Sequence, residues 1–561
     1  MNYSVSIEER EFNRKNTVSS KTAVIEFYDN EGAVVDIQEF AYIEMKTIED
    51  MINNNRYVNL DYCYISNFTL QNCIQNKTGY VYIKRFTALY AFFDDGVDFC
   101  KAEFEHGYVE FALSKFGNGN VYFCETTFGN GNLDFSGVQF GDGIISFLST
   151  KFGTGNVFFN KVQFGTGDFE FSDVHLGNGI IDFSGSQFGD GDLDFSNSQF
   201  GNGDVLFSDV SIGNGTVSFS NAKFNNGEID FSNVCFGAGD VDFSTVNFGT
   251  GFVKFPNVKF GDGSINFTGS YFRGKVIVFT GTNFGNGPVR FAYANFNGNV
   301  DFSFAKFEDG DIDFSYVNFG GDIYFTEATF GQGTINFLRV NFGNGQLGFD
   351  NAVVDKVFLI GQFHGRVDMC FHSCNLLKFD SCVIHNLLNL AADHEVSINE
   401  IQFINCINFG QIQIDWIRNN VKKMIRNQGT TDYYSKAEQF RLLKENFHTM
   451  GKYEYEDLAY VQFKRCETWS KWRGENQRNI VNKLCAKTSS ILQFIADFIG
   501  AYGTSPVRIF ACLILNIFIF GLVFYRFGVG TEKLGYGLSA ALYYSAITSF
   551  TVGYGDISPP S

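Results

Sequence analysis

Phenylalanine recurs along this chain at fixed intervals. Phe104, Phe111, Phe116, Phe123, Phe128, Phe135 and Phe140 are separated alternately by seven and five residues, a period of 12. The frame holds without a slip from Phe104 to Phe296, with Leu176 and Ile212 standing in for Phe. Two later steps, Phe296 to Phe302 and Phe319 to Phe325, shorten to six, as one-residue deletions at glycine turns would make them. A unit this short cannot enclose its own Phe side chains. Successive units must stack and bury their aromatics against one another, which restricts the chain to a solenoid or a related repeat array. The 69 Phe among 561 residues also exclude a disordered chain, because disordered segments are poor in aromatics.

Within one unit, Gly191 to Gly203, an apolar or small residue stands two before each Phe: Leu193 with Phe195, Ser198 with Phe200. That alternation predicts short strands whose two members both point inward. The Gly-x-Gly pairs are expected to supply positive-φ corners, helped by the Asn or Asp between the glycines. The five-residue step resembles pentapeptide-repeat proteins, whose units each form one face of a four-sided β-helix around stacked Leu or Phe. The seven-residue step departs from that pattern by the Gly-x-Gly insertion. The resemblance implies 24-residue coils, roughly ten over residues 99–349 at about 4.8 Å each, a rod on the order of 50 Å. A flattened 12-residue coil is the alternative.

The five-residue step persists upstream in Val58/Leu60, Cys63/Ile65 and Phe68/Leu70, and downstream in Leu377/Phe379, Cys382/Ile384 and Leu387/Leu389. The solenoid is therefore expected over 57–414, with its regular core at 99–349. Residues 1–56 mix a strand-like Thr22 to Phe27 with a helix-like Met45 to Ile52, and would cap the open end. The expected fold is mainly β: a pentapeptide-repeat-like β-solenoid, then a helical linker and a helical transmembrane segment.

The net charge of −19 is unevenly spread: residues 99–349 carry −15 and residues 411–490 carry +6. An acidic rod is a poor surface for nucleic acid, and no nucleic-acid partner is expected. Gly131 to Asp134 invites comparison with calcium-binding nonapeptide repeats, but the Asp follows the second Gly by three rather than two and the period is 12, not nine. Solvated acids on the outer face fit better. The 12 Cys are scattered, and Met1 to Arg14 lacks the apolar core of a secretory signal, so reduced cytosolic thiols are expected. The tightest cluster, Cys370, His372 and Cys374 with His364, matches no zinc spacing. No nucleophile and base pair, metal cluster or phosphate loop is evident, so neither enzyme activity nor a cofactor is expected.

Composition changes after Ile414. Phe440, Leu443 and Phe447, then Leu458, Ala459, Phe463 and Cys466, follow helical spacing. A capping box of Ser435 with Glu438 and a stop at Gly451 predict a helical hairpin, Lys436 to Met450 and Tyr455 to Trp472, within a 415–488 linker. Lys464, Arg465, Lys471, Arg473, Arg478, Lys483 and Lys487 form a basic tract that suits the cytoplasmic face of a bilayer. Ile491, Leu492, Ile495, Phe498 and Ile499, with Gln493 and Asp497 opposite, predict an interfacial helix over 489–504. Residues 505–527 hold the apolar run Ile509 to Tyr525, interrupted by Asn516, which predicts a spanning helix.

Residues 537–561 contain Ala541-Leu542-Tyr543-Tyr544-Ser545-Ala546-Ile547-Thr548-Ser549-Phe550-Thr551-Val552-Gly553-Tyr554-Gly555-Asp556. This looks like the pore helix and signature filter of potassium channels of the two-helix type. An ion sheds its water only if ring after ring of oxygens replaces it, and Gly553 and Gly555 permit the backbone that aims successive carbonyls one way. The resemblance implies that the carbonyls of Thr551, Val552, Gly553 and Tyr554 and the Thr551 hydroxyl coordinate K⁺, that Tyr543 and Tyr544 support Tyr554, and that Asp556 sits at the outer mouth. The family's usual Trp pair is here Tyr-Tyr, and Phe550 stands where Thr is usual. Each chain would offer one filter strand, so a homotetramer is implied. Relatives carry a second spanning helix beyond this point; the sequence given stops at Ser561, and as written it is expected not to conduct.

The expected function is a subunit of a potassium-selective channel in the cell membrane, with K⁺ as permeant ion. Residues 1 to about 505 would be cytoplasmic, and the solenoid a scaffold or regulatory module with a protein partner the sequence does not name. The alternative is a membrane-anchored binding scaffold without channel activity, its acidic rod imitating DNA as some pentapeptide-repeat inhibitors of DNA gyrase do.

Overall fold

Residues one coil apart stand side by side at a separation of 24. In the computed structural model, which describes residues 2–15, 17–105, 107–391, 398–475, 480–527 and 537–552, Val109 pairs in parallel with Leu133, Leu133 with Val157, and so on to Val253 with Ile277. The chain divides into two units, Met1–Asn419 and Asn420–Ser561. The first is the expected solenoid, with the 24-residue coil and not the 12-residue alternative. One face is a 16-stranded parallel sheet running from Val58–Asn59 to Gln411–Gln413. Fifteen strand spacings make a rod of about 70 Å.

Four columns of Phe fill its interior. Phe99 stacks on Phe123 at 4.9 Å and 3°, Phe111 on Phe135 at 4.7 Å and 2°, Phe104 on Phe128 at 5.0 Å, and Phe116 on Phe140 at 4.7 Å. The two inner columns meet edge to face, Phe111 against Phe123 at 5.8 Å and 82°, an arrangement that sets positive ring edges against negative faces. Phe169 occupies a column position that holds Ile145 before it and Leu193 after it. In that coil Phe171 tilts 57° from Phe147 and comes within 5.7 Å of Phe152, where the outer column carries Leu176 in place of Phe. The two six-residue steps leave the columns intact: Phe279, Phe302 and Phe325 still stack at 4.8 and 4.9 Å, 23 residues apart.

The glycines do a different job from the one expected. Positive φ recurs every 12 residues at Asn197, Asp209, Asn221, Asn233, Thr245 and Asn257, in the five-residue step, while most Gly-x-Gly glycines do not have it; Gly249, Gly285 and Gly343 are exceptions. What they need is the absence of a side chain. A Cβ on Gly203 would lie 2.0 Å from the Gly179 carbonyl oxygen, and one on Gly179 2.0 Å from that of Gly155. Asn and Asp beside these glycines are not simply solvated. Asn132 Oδ1 accepts the Asn156 amide at 2.9 Å, Asp168 that of Asp192 at 2.9 Å and Asp192 that of Thr216 at 2.7 Å, each one coil on. The Ser264 amide accordingly holds the Asp240 carboxyl below its usual range. Buried hydroxyls stitch coils from within: Ser198 Oγ donates to Phe171 O at 2.6 Å.

Residues before the rod close its first coil. Strands β1 (Tyr3–Glu8), β2 (Thr22–Tyr28) and β3 (Val34–Tyr42) form an antiparallel sheet. The edge of β3 pairs in parallel with β4 (Cys63–Thr69). Ile25, Phe27, Phe40, Tyr64 and Phe92 make one buried cluster beneath it. The hydroxyls of Tyr3 and Tyr64 both donate to Asp94, and burial first, then that carboxylate, holds both phenols protonated. Helix α1 (Met45–Asn53) buries Ile48 and Ile52.

The second unit is helical: α2 (Val421–Arg426), α3 (Tyr433–Thr449), α4 (Tyr453–Arg473), α5 (Ile480–Gly500), α6 (Pro506–Arg526) and α7 (Leu538–Ser549). The cap of α3 is Asp432, whose side chain accepts the Ser435 amide at 2.7 Å, not the expected Ser435. Both residues can cap, and once Asp432 does so Ser435 falls at the third helical position.

Replacing Gly203 by Ala is expected to destabilise the solenoid by about 1–3 kcal/mol or more, read as a lower urea midpoint, because the new methyl must push a coil away from its neighbour. An unchanged midpoint, followed by circular dichroism, would contradict the close-approach role of these glycines.

Candidate functional site

The ordinary amphipathic helix buries its apolar face; α5 does the reverse. Two polar residues in its C-terminal half are bound to α4: Asp497 takes a bidentate pair from Arg465 at 2.8 and 2.9 Å, and Gln493 accepts from Thr468 at 2.9 Å. Phe494 lies edge-on to Trp469 at 5.3 Å and to Trp472 at 6.1 Å. Ile491, Leu492, Ile495, Phe498 and Ile499 point away from the unit, with Leu492 70% and Phe498 74% exposed. An apolar stripe of this extent marks a surface that meets something other than water. The helix also begins at Ile480, nine residues before the expected boundary.

The basic tract is in part consumed inside the fold. Lys464 and Lys471 both bind Glu467, at 2.8 and 2.9 Å, and Arg473 lies over the Tyr433 ring at 4.6 Å. Lys487 lies 5.9 Å from the Trp472 ring. Arg478 is outside the described residues.

Helix α6 follows α5 after a short turn and starts on Pro506, which suits a first helical position because its missing N–H would be unpaired there anyway. Its most apolar 18 residues, within a helix of 21, have a mean hydropathy of 2.5, and 6% of that stretch is buried. A core helix of a soluble domain would be mostly buried, so the small buried share sets α6 apart. Its length, about 30 Å, matches the hydrocarbon thickness of a bilayer.

Small residues let α7 lie against α6. Gly521 is the buried residue of α6, and a Cβ there would come 2.5 Å from Leu542 Cδ2. Ala540, Ala541 and Ser545 are buried on α7. The Ser545 hydroxyl donates to Ile517 O at 2.8 Å, and Tyr544 meets Phe524 edge-on at 5.0 Å. Close backbone approach through small residues, fastened by a hydroxyl, is how helices pair where no water drives them together. None of Gly521, Phe524 and Ser545 was singled out by the sequence reading, although Ala541 and Ser545, four apart on α7, carried that signal.

Helix α7 ends in a Schellman turn. The Thr551 amide donates to Thr548 O at 3.1 Å and the Val552 amide to Ile547 O at 3.0 Å, with Thr551 at φ 53°. A β-branched residue in the left-handed region costs about 1–3 kcal/mol, so backbone strain falls on the first of the expected filter residues. The Thr551 hydroxyl donates to Phe550 O at 2.7 Å. The negative end of the α7 dipole faces this turn, which favours a cation nearby. Tyr543 is partly exposed on α7, and Gly553, Tyr554, Gly555 and Asp556 lie outside the described residues. Near Cys370, His372 and Cys374, which match no zinc spacing, the His364 ring stacks on His385 at 4.3 Å.

Residues 512–561 match a family described as Ion channel. No curated protein and no solved structure matches the chain.

Two predictions follow from this packing. Gly521→Leu is expected to lengthen the distance between spin labels at Leu515 and Thr548 by about 2 Å, since interaxial separation follows the side chains at the contact, and Leu542→Ala in the same chain should reverse it. In liposomes, spin labels at Leu492 and Phe498 are expected to be open to oxygen and shielded from a water-soluble nickel chelate. Free access of the chelate would place the α5 stripe in water.

Proposed function

We propose that residues 505–561, read on the premise of the ion-channel match, contribute the outer helix, pore helix and filter strand of a potassium-selective channel that assembles as a homotetramer in the cell membrane. The observation that carries this reading is the pairing of the exposed apolar helix α6 with α7, whose C-terminal turn delivers Thr551 and Val552 to the start of the Thr-Val-Gly-Tyr-Gly run. Thr551, Val552, Gly553 and Tyr554 would present carbonyls to K⁺, with Gly555 freeing the backbone, Asp556 at the outer mouth, and Tyr543 and Tyr544 in support. Tyr544 does this from a ring already engaged with Phe524.

The solenoid and the helices through α5 are assigned to the cytoplasmic side. On this assignment the α5 stripe lies in the inner leaflet, and the α3–α4 hairpin rides on its polar side through Arg465 and Asp497. Gating by the rod would pass through that pair of helices.

Ion flux tests the proposal. In liposomes holding the chain continued beyond Ser561 by an inner helix, K⁺ and Tl⁺ are expected to pass while Na⁺ does not, and Gly553→Ala should abolish the discrimination. Equal K⁺ and Na⁺ flux would overturn selectivity, and no flux from a tetramer of correct size would favour a membrane-anchored scaffold.

A further inference from the structure

Two pairs among the 12 cysteines fall one coil apart in space: Cys100 with Cys124 and Cys382 with Cys406. Their settings differ. Cys382 and Cys406 follow a left-handed residue, Ser381 and Asn405, at the position that elsewhere holds Ser198. Their thiols meet each other, which lowers Cys406 and raises Cys382, but they also donate to Leu359 O at 3.1 Å and Phe379 O at 3.5 Å, and Cys382 is buried where Cys100 and Cys124 are not, so they act as small interior donors, as the serine does.

Cys100 and Cys124 instead follow the inward Phe99 and Phe123, at the outward position where later coils carry Ser196, Ser220 and Ser244. Both are partly exposed. The backbone holds them in register from both sides. Asp98 pairs with Tyr122, the Phe99 and Phe123 rings stack at 4.9 Å and 3°, and the Lys101 amide donates to Cys124 O at 3.0 Å. Neighbouring strands stand about 4.8 Å apart, inside the roughly 4.4–6.8 Å that separates Cα atoms across a disulfide. Ser146 Oγ lies 3.3 Å from Cys124 Sγ, and Asp98 Oδ1 accepts the Cys100 amide at 2.9 Å.

We propose that Cys100 and Cys124 form a reversible redox pair that links the first coils of the rod, beside the cap, in response to a hydroperoxide. Cys124 is the attacking thiol: hydrogen bonds from Cys100 and then from Ser146 favour its thiolate, against burial and the carboxylates of Glu170 and Asp98, and bring it down to about 7. The same contact, with burial and Asp98, pushes Cys100 up. The Cys124 thiolate attacks the terminal peroxide oxygen, forming a sulfenic acid and releasing alkoxide or hydroxide, which takes a proton from water. Cys100 sulfur then attacks Cys124 sulfur, and the sulfenic hydroxyl leaves as water with the Cys100 proton. Both sulfurs are oxidised by one electron each, the peroxide is reduced by two, and a dithiol reverses the bond.

The test uses the full chain in detergent or lipid. After brief hydrogen peroxide treatment, alkylation and digestion, mass spectrometry is expected to find a peptide joining Cys100 to Cys124, two hydrogens lighter than its reduced parts and released by dithiothreitol, while Cys382 and Cys406 remain alkylated. Cys100→Ser, which restores the residue other coils carry and so preserves the fold, is expected to leave Cys124 as a sulfenic acid that dimedone traps. Full alkylation of both cysteines after peroxide, with oxidation only at the exposed Cys235 or Cys485, would overturn the proposal. Equal trapping of Cys100 in Cys124→Ser would overturn the assignment of the attacking thiol.

Discussion

Contact between identical side chains one coil apart governs this molecule. A Phe ring can stack on its counterpart at about 4.8 Å only if the backbones carrying them are equally close, and strand pairing supplies that spacing. Everything else in the rod accommodates the approach. At the Gly-x-Gly turns, carbonyls of one coil occupy the space where the next would place a Cβ, so glycine is required by crowding. The amides left over at these turns find Asn and Asp oxygens one coil away. The acidic character of the rod is thus in part a by-product of satisfying its backbone, which weakens an origin in mimicry of another polyanion.

The Phe columns were legible because periodicity carries them: a slip of one residue within a strand would turn a Phe outward, so such slips are confined to the turns. The role of the glycines was not, because left-handed φ and lack of space both call for glycine and leave the same letter. The residues that do adopt left-handed φ, such as Asn197 and Asp209 but also Tyr293 and Phe304, vary so widely that no composition rule marks them. Leu176 could be read as a substitution for Phe, whereas its relation to Phe169 through the displaced Phe171 ring needed three dimensions.

In the helical unit the helices themselves were legible and their partners were not. Gln493 and Asp497 read only as the side of α5 opposite its apolar stripe, and both are spent on α4. A sequence shows which residues share a helix face and says nothing of which face a neighbour covers. The same limit hid Gly521, a lone small residue in an apolar run that gains meaning only when Leu542 is set against it. The run Thr551 to Gly555 was the part of the sequence most directly read as a proposed filter, since each letter would answer a demand of ion dehydration; of that run the structure describes Thr551 and Val552.

The 24-residue coil gives the rod a countable length. Because each coil touches only the one before and the one after, an in-frame duplication of one coil adds about 4.8 Å and leaves the Tyr3 and Tyr64 clasp on Asp94 at one end, and the last strand at Gln413, chemically as they were. The two 23-residue coils show that the columns also tolerate a missing letter at a turn. Reach is therefore a trait that heredity can tune in discrete increments, like links added to a chain, without redesigning either end.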